Sequence, residues 1–303
     1  MDPTPPPSID VEAFRQKLSR LQALEKRQQL TREKKLDRCR TDFAAFLEYV
    51  LKDESTGAQI ILAELHKKWF EHIHFSWQRN LYPVILAPMG SGKTSLLSVG
   101  LPLFLFGQNS SLRIMLISAN DSIARERLVL IRNYIDHSDE YHDVFPNVKA
   151  DSELGWTKSN LTLQRPTKSK DPSLTAGGAT SSSIGKRLDM LILDDINDAK
   201  NTLHQPKMRD VIWRNYKAVF LSRLEPNGRI VVVATRWHAA DMVGKLLEDE
   251  DMRTKYAFLI QRVSEDFERL ECETIVPYAI RPGQVNHHDE TEKLFRLAEE
   301  GFI

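Results

Sequence analysis

Apolar residues recur at helical spacing through residues 11–40, where Val11, Phe14, Leu18, Leu21 and Leu24 fall on one stripe. The spacing returns twice within 41–79, first as Phe43, Phe46, Leu47 and Val50, then as Leu62, Leu65, Trp69 and Phe70. Three helices are predicted there. Beyond residue 80 the pattern changes to short continuous apolar runs separated by amphipathic stretches. The runs at 83–87, 112–118, 188–193, 229–234 and 256–262 predict strands, and 161–165 predicts one arm of a small hairpin. Helices are predicted from Lys93 onward, at 120–137, at 203–221 and from Ala239 to about Glu250. Strands that alternate with helices predict the α/β class: a mainly parallel sheet with helices on both faces, here behind a helical N-terminal extension. Residues 1–10 hold four prolines and read as a disordered tip. Residues 263–303 are charged and weakly periodic, and read as a linker. The expected division is an arm over 1–40, a domain over 41–262 and an extension over 263–303.

Composition narrows the class. Of 303 residues, 41% are hydrophobic and 28% charged, enough for one large core under a well-solvated surface. The formal net charge of +0 gives no whole-chain grip on nucleic acid and leaves only local basic patches for that purpose. Residues 11–40 form one, with ten Lys or Arg against four Asp or Glu. They read either as a solvated helix docked on the domain or as an arm that touches DNA or a partner protein. Lys168 and Lys170, after Pro166, form another. Cys39 and Cys272 lie far apart and outside metal-ligand spacing, which argues against a zinc site or disulfide framework and fits a reducing compartment. No apolar run is long enough to span a bilayer, and Met1 to Pro7 lacks the apolar core of a signal peptide, so a soluble intracellular protein is expected.

The strongest chemical signal is Ala87-Pro88-Met89-Gly90-Ser91-Gly92-Lys93-Thr94, between a predicted strand and a predicted helix. That context suits a phosphate-binding loop. Gly90 and Gly92 allow a tight turn whose N–H groups point at phosphate oxygens. The helix start adds the positive end of its dipole. Lys93 is the point charge for the β- and γ-phosphates, and the Thr94 hydroxyl is a ligand for Mg²⁺. Ala87 stands where the usual pattern has its first glycine. Leu191-Ile192-Leu193-Asp194-Asp195 supplies the carboxylates that an ATPase needs at the end of a neighbouring strand. Asp194 is expected to hold Mg²⁺ through water, and Asp195 to polarise the attacking water. The ligands read from these residues are thus ATP and Mg²⁺.

A third segment, Ala234-Thr235-Arg236-Trp237-His238-Ala239-Ala240-Asp241, joins the loop and the stretch from Gly185 to Asp195. In this order the three resemble the motifs of a branch of phage terminase large subunits marked by Thr-Arg-Trp-His, over roughly residues 41–262. The resemblance implies a P-loop NTPase of the additional-strand type, working in the host cytoplasm as a homo-oligomeric ring, a pentamer, on the portal protein of a procapsid. It implies an ATP-driven translocase of double-stranded DNA, with a small terminase subunit as further partner and no membrane. Thr235 matches the coupling residue that senses the γ-phosphate. Arg236 and His238 are also consistent with structural roles, an Arg-Trp stack anchoring the next helix. Such rings resemble motors with an arginine finger from the adjacent subunit. Arg187 is the implied finger, although it reads equally well as a surface ion-pair residue. Lys186 is the runner-up, with Arg125 and Arg127 behind it. Family members bind adenine near the segment preceding the loop, which points to His66 or Gln59 unless these are ordinary helix residues.

Two departures qualify the resemblance. Met89 replaces a polar residue or arginine, so the loop supplies no arginine to its own site. The stretch from Met242 to Ile303 is too short for the nuclease domain of a full terminase, and its acids Glu265, Asp266, Glu268, Glu271 and Glu273 read as a solvated linker. A motor without its nuclease is therefore expected, the nuclease being either truncated or a separate chain. Alternatives are a helicase-like or AAA-type remodeller and a nucleotide-gated docking module with little turnover.

Overall fold

The computed structural model describes residues 11–166, 169–181, 185–263 and 270–275. The tip 1–10, Lys168, and Glu265, Asp266 and Glu268 lie outside the described residues. Among the described residues eight strands make one sheet: β1 Tyr82–Leu86, β2 Ile114–Ser118, β3 Asn160–Leu161, β4 Leu174–Gly178, β5 Leu188–Asp194, β6 Leu224–Ala234, β7 Tyr256–Val263 and β8 Leu270–Ile275. Their order is β3-β4-β2-β5-β6-β1-β7-β8. The six inner strands are parallel, and β3 and β8 are antiparallel at the edges. β6 lies between β1 and β5, the additional strand between the two that carry the phosphate loop and the carboxylates.

The continuous apolar runs follow from burial on both faces. Side chains alternate across a strand, and here both sides are core. Ile85, Leu116 and Ile192 pack into one cluster, while their neighbours Val84, Leu86, Met115, Ile117, Leu191 and Leu193 pack into the other. Each such buried side chain contributes roughly 1.5–3 kcal/mol relative to exposure. The first face is covered by the end of α1 Val11–Thr41, by α2 Phe43–Val50, α3 Glu64–Gln78, the helix that leaves the phosphate loop, α5 Asp121–His137 and α6 Asp139–Val144. That loop helix is π-helical over Thr94–Gly100 and continues as α4 Leu101–Gln108. Pro102, which has no N–H for a helix ladder, sits just past the π segment. The second face is covered by α7 Pro206–Asn215, the π segment Tyr216–Phe220 and α8 Met242–Glu248, which leads into α9 Glu250–Arg253.

The C-terminal part of the arm docks. Cys39 is buried, Arg40 Nε donates to Val144 O at 3.0 Å, and Arg32 pairs with Asp143 at 2.7 Å. Tyr49 Oη donates to the same carboxylate at 2.9 Å. Leu24 and Leu30, higher on the helix, are exposed. No helix among the described residues is long and apolar enough to cross a membrane.

Four features differ from the sequence reading. β4 is a strand with a Gly-Gly end, a weak β signal on its own, yet it fills the gap between β2 and β3. Gly178 is required there, because a Cβ would come within 2.8 Å of Asp121 N at the start of α5. The predicted helix 203–221 is broken by Pro206, which starts α7 after a separate π turn, Lys200–His204. β6 begins five residues before the predicted Arg229 and takes up Pro226-Asn227-Gly228 as an irregularity in its pairing with β5. Glu271 and Glu273, read as linker acids, lie instead on β8, paired with Arg262 and Ile260 of β7.

Candidate nucleotide-binding site

The phosphate loop grows directly out of the sheet. Ala87 continues the ladder, its N–H donating to Ala234 O at 3.1 Å. It sits in regular buried backbone, so the missing first glycine is accommodated without strain. The turn comes two residues later. Gly90 and Gly92 have φ of 77° and 81°, the left-handed region that favours glycine. Pro88 O accepts Ser91 Oγ at 2.8 Å and Lys93 Nζ at 3.4 Å, while Met89 is exposed at the tip. Lys93 is buried at the base, and Thr94 opens the helix.

Asp194 and Asp195 meet this loop across β6. Thr94 Oγ1 donates to Asp194 Oδ1 at 3.2 Å. Burial raises the pKa of Asp194, the adjacent charge of Asp195 raises it further, and the guanidinium of Arg127 opposes both. Asp195 takes a left-handed φ of 45°, a conformation costing an L-residue about 1–2 kcal/mol. The turn aims its side chain across the sheet edge. Oδ1 accepts Thr235 N–H at 2.7 Å, and Oδ2 lies 3.2 Å from Lys93 Nζ. Thr235 Oγ1 in turn donates to Ala87 O at 3.4 Å. Lys93, Asp195, Thr235 and Ala87 thereby form a chain of contacts between the loop and the ends of β5 and β6. The paired oxygens of Thr94 and Asp194 suit a hard cation such as Mg²⁺. Among the described residues no group of three His, Cys, Asp or Glu could hold a metal alone.

The arginines are arranged differently from the sequence reading. Arg127, ranked there as a weak candidate for a neighbour's site, lies in its own site: Nε donates to Asp194 Oδ2 at 3.2 Å. An arginine thus enters from α5 although the loop carries Met89. No local spacing rule reveals this, since the direction of a helix face depends on packing. Arg125 instead lies near Asp121, at 4.0 Å. Lys186 Nζ donates to Asn160 Oδ1 at 2.7 Å. Arg187 is 76% exposed and 3.8 Å from Glu225, at the opposite end of β5. At ~3.3 Å per residue that is roughly 20 Å from Asp194. Neither Lys186 nor Arg187 reaches the nucleotide site of its own chain.

A cleft of about 540 Å³ opens beside Gly90, Ser91 and Gly92, walled by Leu51, Ile60, Leu62, Leu96, Val99 and Tyr134. The segment expected near adenine does line it, but the two polar residues singled out there have other partners. His66 Nδ1 accepts Ala63 N–H at 3.2 Å, and its Nε2 donates to Ser91 O at 3.1 Å. Both ring nitrogens are engaged, so His66, itself on the cleft wall, braces the loop. Burial lowers its pKa, and the bond to Ser91 partly offsets this. Gln59 donates to Tyr49 O at 3.0 Å and does not line the cleft.

Past Thr235 the chain is organised around a buried ion pair. Arg236 Nε donates to Asp241 Oδ2 at 2.9 Å, both side chains being almost fully buried. That carboxylate also accepts the N–H groups of Trp237 and His238, and Asp241 Oδ1 caps α8 through Gly244 N at 3.0 Å. Arg236 anchors the helix through Asp241 and not through a stack on Trp237.

No protein-family model and no curated protein matches the sequence. Among solved structures, the HK97 bacteriophage large terminase is similar at a TM-score of 0.51 and 13% identity, covering 86% of this chain and 51% of that one. A Saccharomyces cerevisiae Dbp5 variant bound to Nup159, Gle1, IP6 and ADP gives a TM-score of 0.33 and 14% identity, covering 59% of this chain and 48% of that chain. This chain therefore spans about half the length of the terminase whose fold it shares. By its parallel sheet, the strand set between β1 and β5, and this likeness, the chain has the α/β fold of a P-loop NTPase.

Proposed function

We propose that the chain is an ATP-hydrolysing motor subunit of the large-terminase type, which drives double-stranded DNA into a procapsid. The convergence of Lys93, Thr94, Asp194, Asp195 and Thr235 on one glycine-turned loop carries this reading. Lys93 supplies charge for the β- and γ-phosphates. It lies 3.2 Å from Asp195, so a bound phosphate competes for the lysine and leaves Asp195 Oδ2 to accept a proton from the attacking water. The other oxygen of Asp195 stays on Thr235 N–H, which keeps the base oriented and ties its state to the end of β6. Thr94 and, through water, Asp194 would hold Mg²⁺, which neutralises phosphate charge when bound. The apolar walls of the 540 Å³ cleft suit the adenine face. In a ring on the portal, Arg187 is the residue offered to a neighbouring subunit's phosphates, while Arg127 serves its own site.

Steady-state ATP turnover against protein concentration tests this reading. The rate per subunit should climb as rings assemble, and Arg187→Ala should flatten the climb without altering turnover of the dilute chain. A wild-type rate per subunit independent of concentration, and insensitive to added DNA, would remove the ring motor and leave a simple ATPase. Arg127→Ala should lower turnover at saturating Mg-ATP by about 10²-fold, the typical cost of one charge-stabilising donor. Arg127→Lys should recover little, because a point charge does not reproduce the planar fork. A drop in melting temperature with unchanged turnover would reassign Arg127 to stabilising Asp194 alone.

A further inference from the structure

The segment after the carboxylate pair has a charge pattern that the nucleotide site does not use. Between Asp198 and Asp210 no acidic residue occurs, and the stretch holds Lys200, His204, Lys207 and Arg209. It forms the π turn Lys200–His204 and the first turn of α7. Lys200, His204 and Lys207 are exposed, and Arg209 is half-buried. Nearby cations are paired, Lys217 with Asp249 at 3.3 Å and Lys245 with Asp210 at 2.8 Å. Lys200, Lys207 and Arg209 have no ion-pair partner among the described residues. In a chain of zero net charge, such a run leaves a concentrated positive field.

The placement also breaks a local rule. Lys207 and Arg209 occupy the start of α7, where the helix dipole disfavours cations, and the first turn contains no acid. No side chain caps that end. Sequences that break local rules without compensation inside the chain tend to do so at functional sites. The segment is also stitched to the site. Asn197, two residues past Asp195, donates to Thr202 Oγ1 at 3.0 Å and accepts Met242 N–H at 2.9 Å, and Asn201 donates to Ile196 O at 2.9 Å. The cationic turn is thus linked by short bonds to the backbone next to the catalytic carboxylate and to the first residue of α8.

We infer that Lys200, Lys207 and Arg209 form the surface on which the chain grips the phosphate backbone of duplex DNA. The choice of duplex DNA rests on the motor reading; the surface rests on the charge pattern and its stitching. Phosphates along a duplex would supply the anions that this stretch lacks. On the arm, by contrast, several cations around the exposed Lys26, Arg27 and Lys34 are already paired, Arg32 with Asp143, Arg38 with Asp42 and Arg40 with Asp37.

The test uses the full chain and a short fluorescein-labelled duplex, with binding followed by anisotropy across a salt series. Lys200→Ala/Lys207→Ala/Arg209→Ala should bind at least about tenfold more weakly, with a log–log salt slope smaller by about 3, roughly one per phosphate contact removed. Its ATP turnover without DNA should match wild type, and stimulation by DNA should be lost. The arm variant Lys26→Ala/Arg27→Ala/Lys34→Ala should keep the wild-type slope. A wild-type chain that does not bind duplex, or a triple variant with unchanged slope, overturns the inference. A chain that hydrolyses no ATP, yet loses its salt slope in the triple variant, defeats the motor reading and leaves the surface standing.

Discussion

Asp195→Asn is expected to keep nucleotide and lose hydrolysis by about 10²–10⁴-fold, the range for removing a positioned general base. The substitution isolates the chemistry from the fold. Asparagine accepts the left-handed φ of 45° as well as aspartate does. Its amide oxygen replaces Oδ1 as acceptor for Thr235 N–H, now 2.7 Å away. What disappears is the proton acceptor and the charge facing Lys93 at 3.2 Å. Because Lys93 then has one anion fewer competing for it, Mg-ATP should bind at least as tightly as in wild type. Calorimetric titration with Mg-ATP and steady-state turnover together decide the point. Turnover within tenfold of wild type would show that another group handles the water's proton.

Asp241→Ala should be the most destabilising single change in the site region, by about 3–5 kcal/mol. It leaves the guanidinium of Arg236 buried without its counter-ion. It also strips the acceptor from the N–H groups of Trp237 and His238 and removes the cap of α8, the last worth about 1 kcal/mol on its own. Replacing both partners with apolar residues should recover much of the loss, since breaking a buried pair costs more than substituting it. Gly244→Ala probes the same turn independently. A Cβ there would collide with Ala239 O, so the start of α8 would have to move. Chemical denaturation of the single and double variants measures the effect. An Asp241→Ala loss below about 1 kcal/mol, the level of an exposed pair, would mean that the ion pair is dispensable. Turnover of the folded fraction then reports whether the turn also positions Thr235 on Asp195.

Much of this molecule was legible in the chain. Strand–loop–helix succession is covalent, so Gly90, Gly92, Lys93 and Thr94 had to fall on a turn between β1 and its helix. The doubly buried strands announced themselves as continuous apolar runs, because both of their faces are core. The strand β4 was hidden, since Thr175 to Gly178 has little propensity of its own and pairs only because β2 lies beside it. β8 was hidden by its acids, for an edge strand tolerates charge.

Within the site, Asp194, Asp195 and Thr235 could be placed because each ends or follows a strand, and strand ends of a parallel sheet share one edge. The partners from helices could not. Arg127 reaches Asp194 across 67 residues of chain, and which side chain of α5 faces the sheet is set by Ala124, Leu128 and Ile131 packing beneath it. For His66 the chain leaves open a base-recognition residue or an ordinary helix residue, and only the approach of α3 to the loop gives its ring nitrogens their partners. The sequence by itself determined the class of fold, the glycine turn after β1 and the place of Asp194 and Asp195 at the end of β5, since local backbone geometry and two-sided burial are written in consecutive residues. Only the tertiary structure decided which arginine faces Asp194, what His66 holds and how Asp241 is buried, because those contacts depend on helix rotation and strand order, which no short stretch of chain encodes.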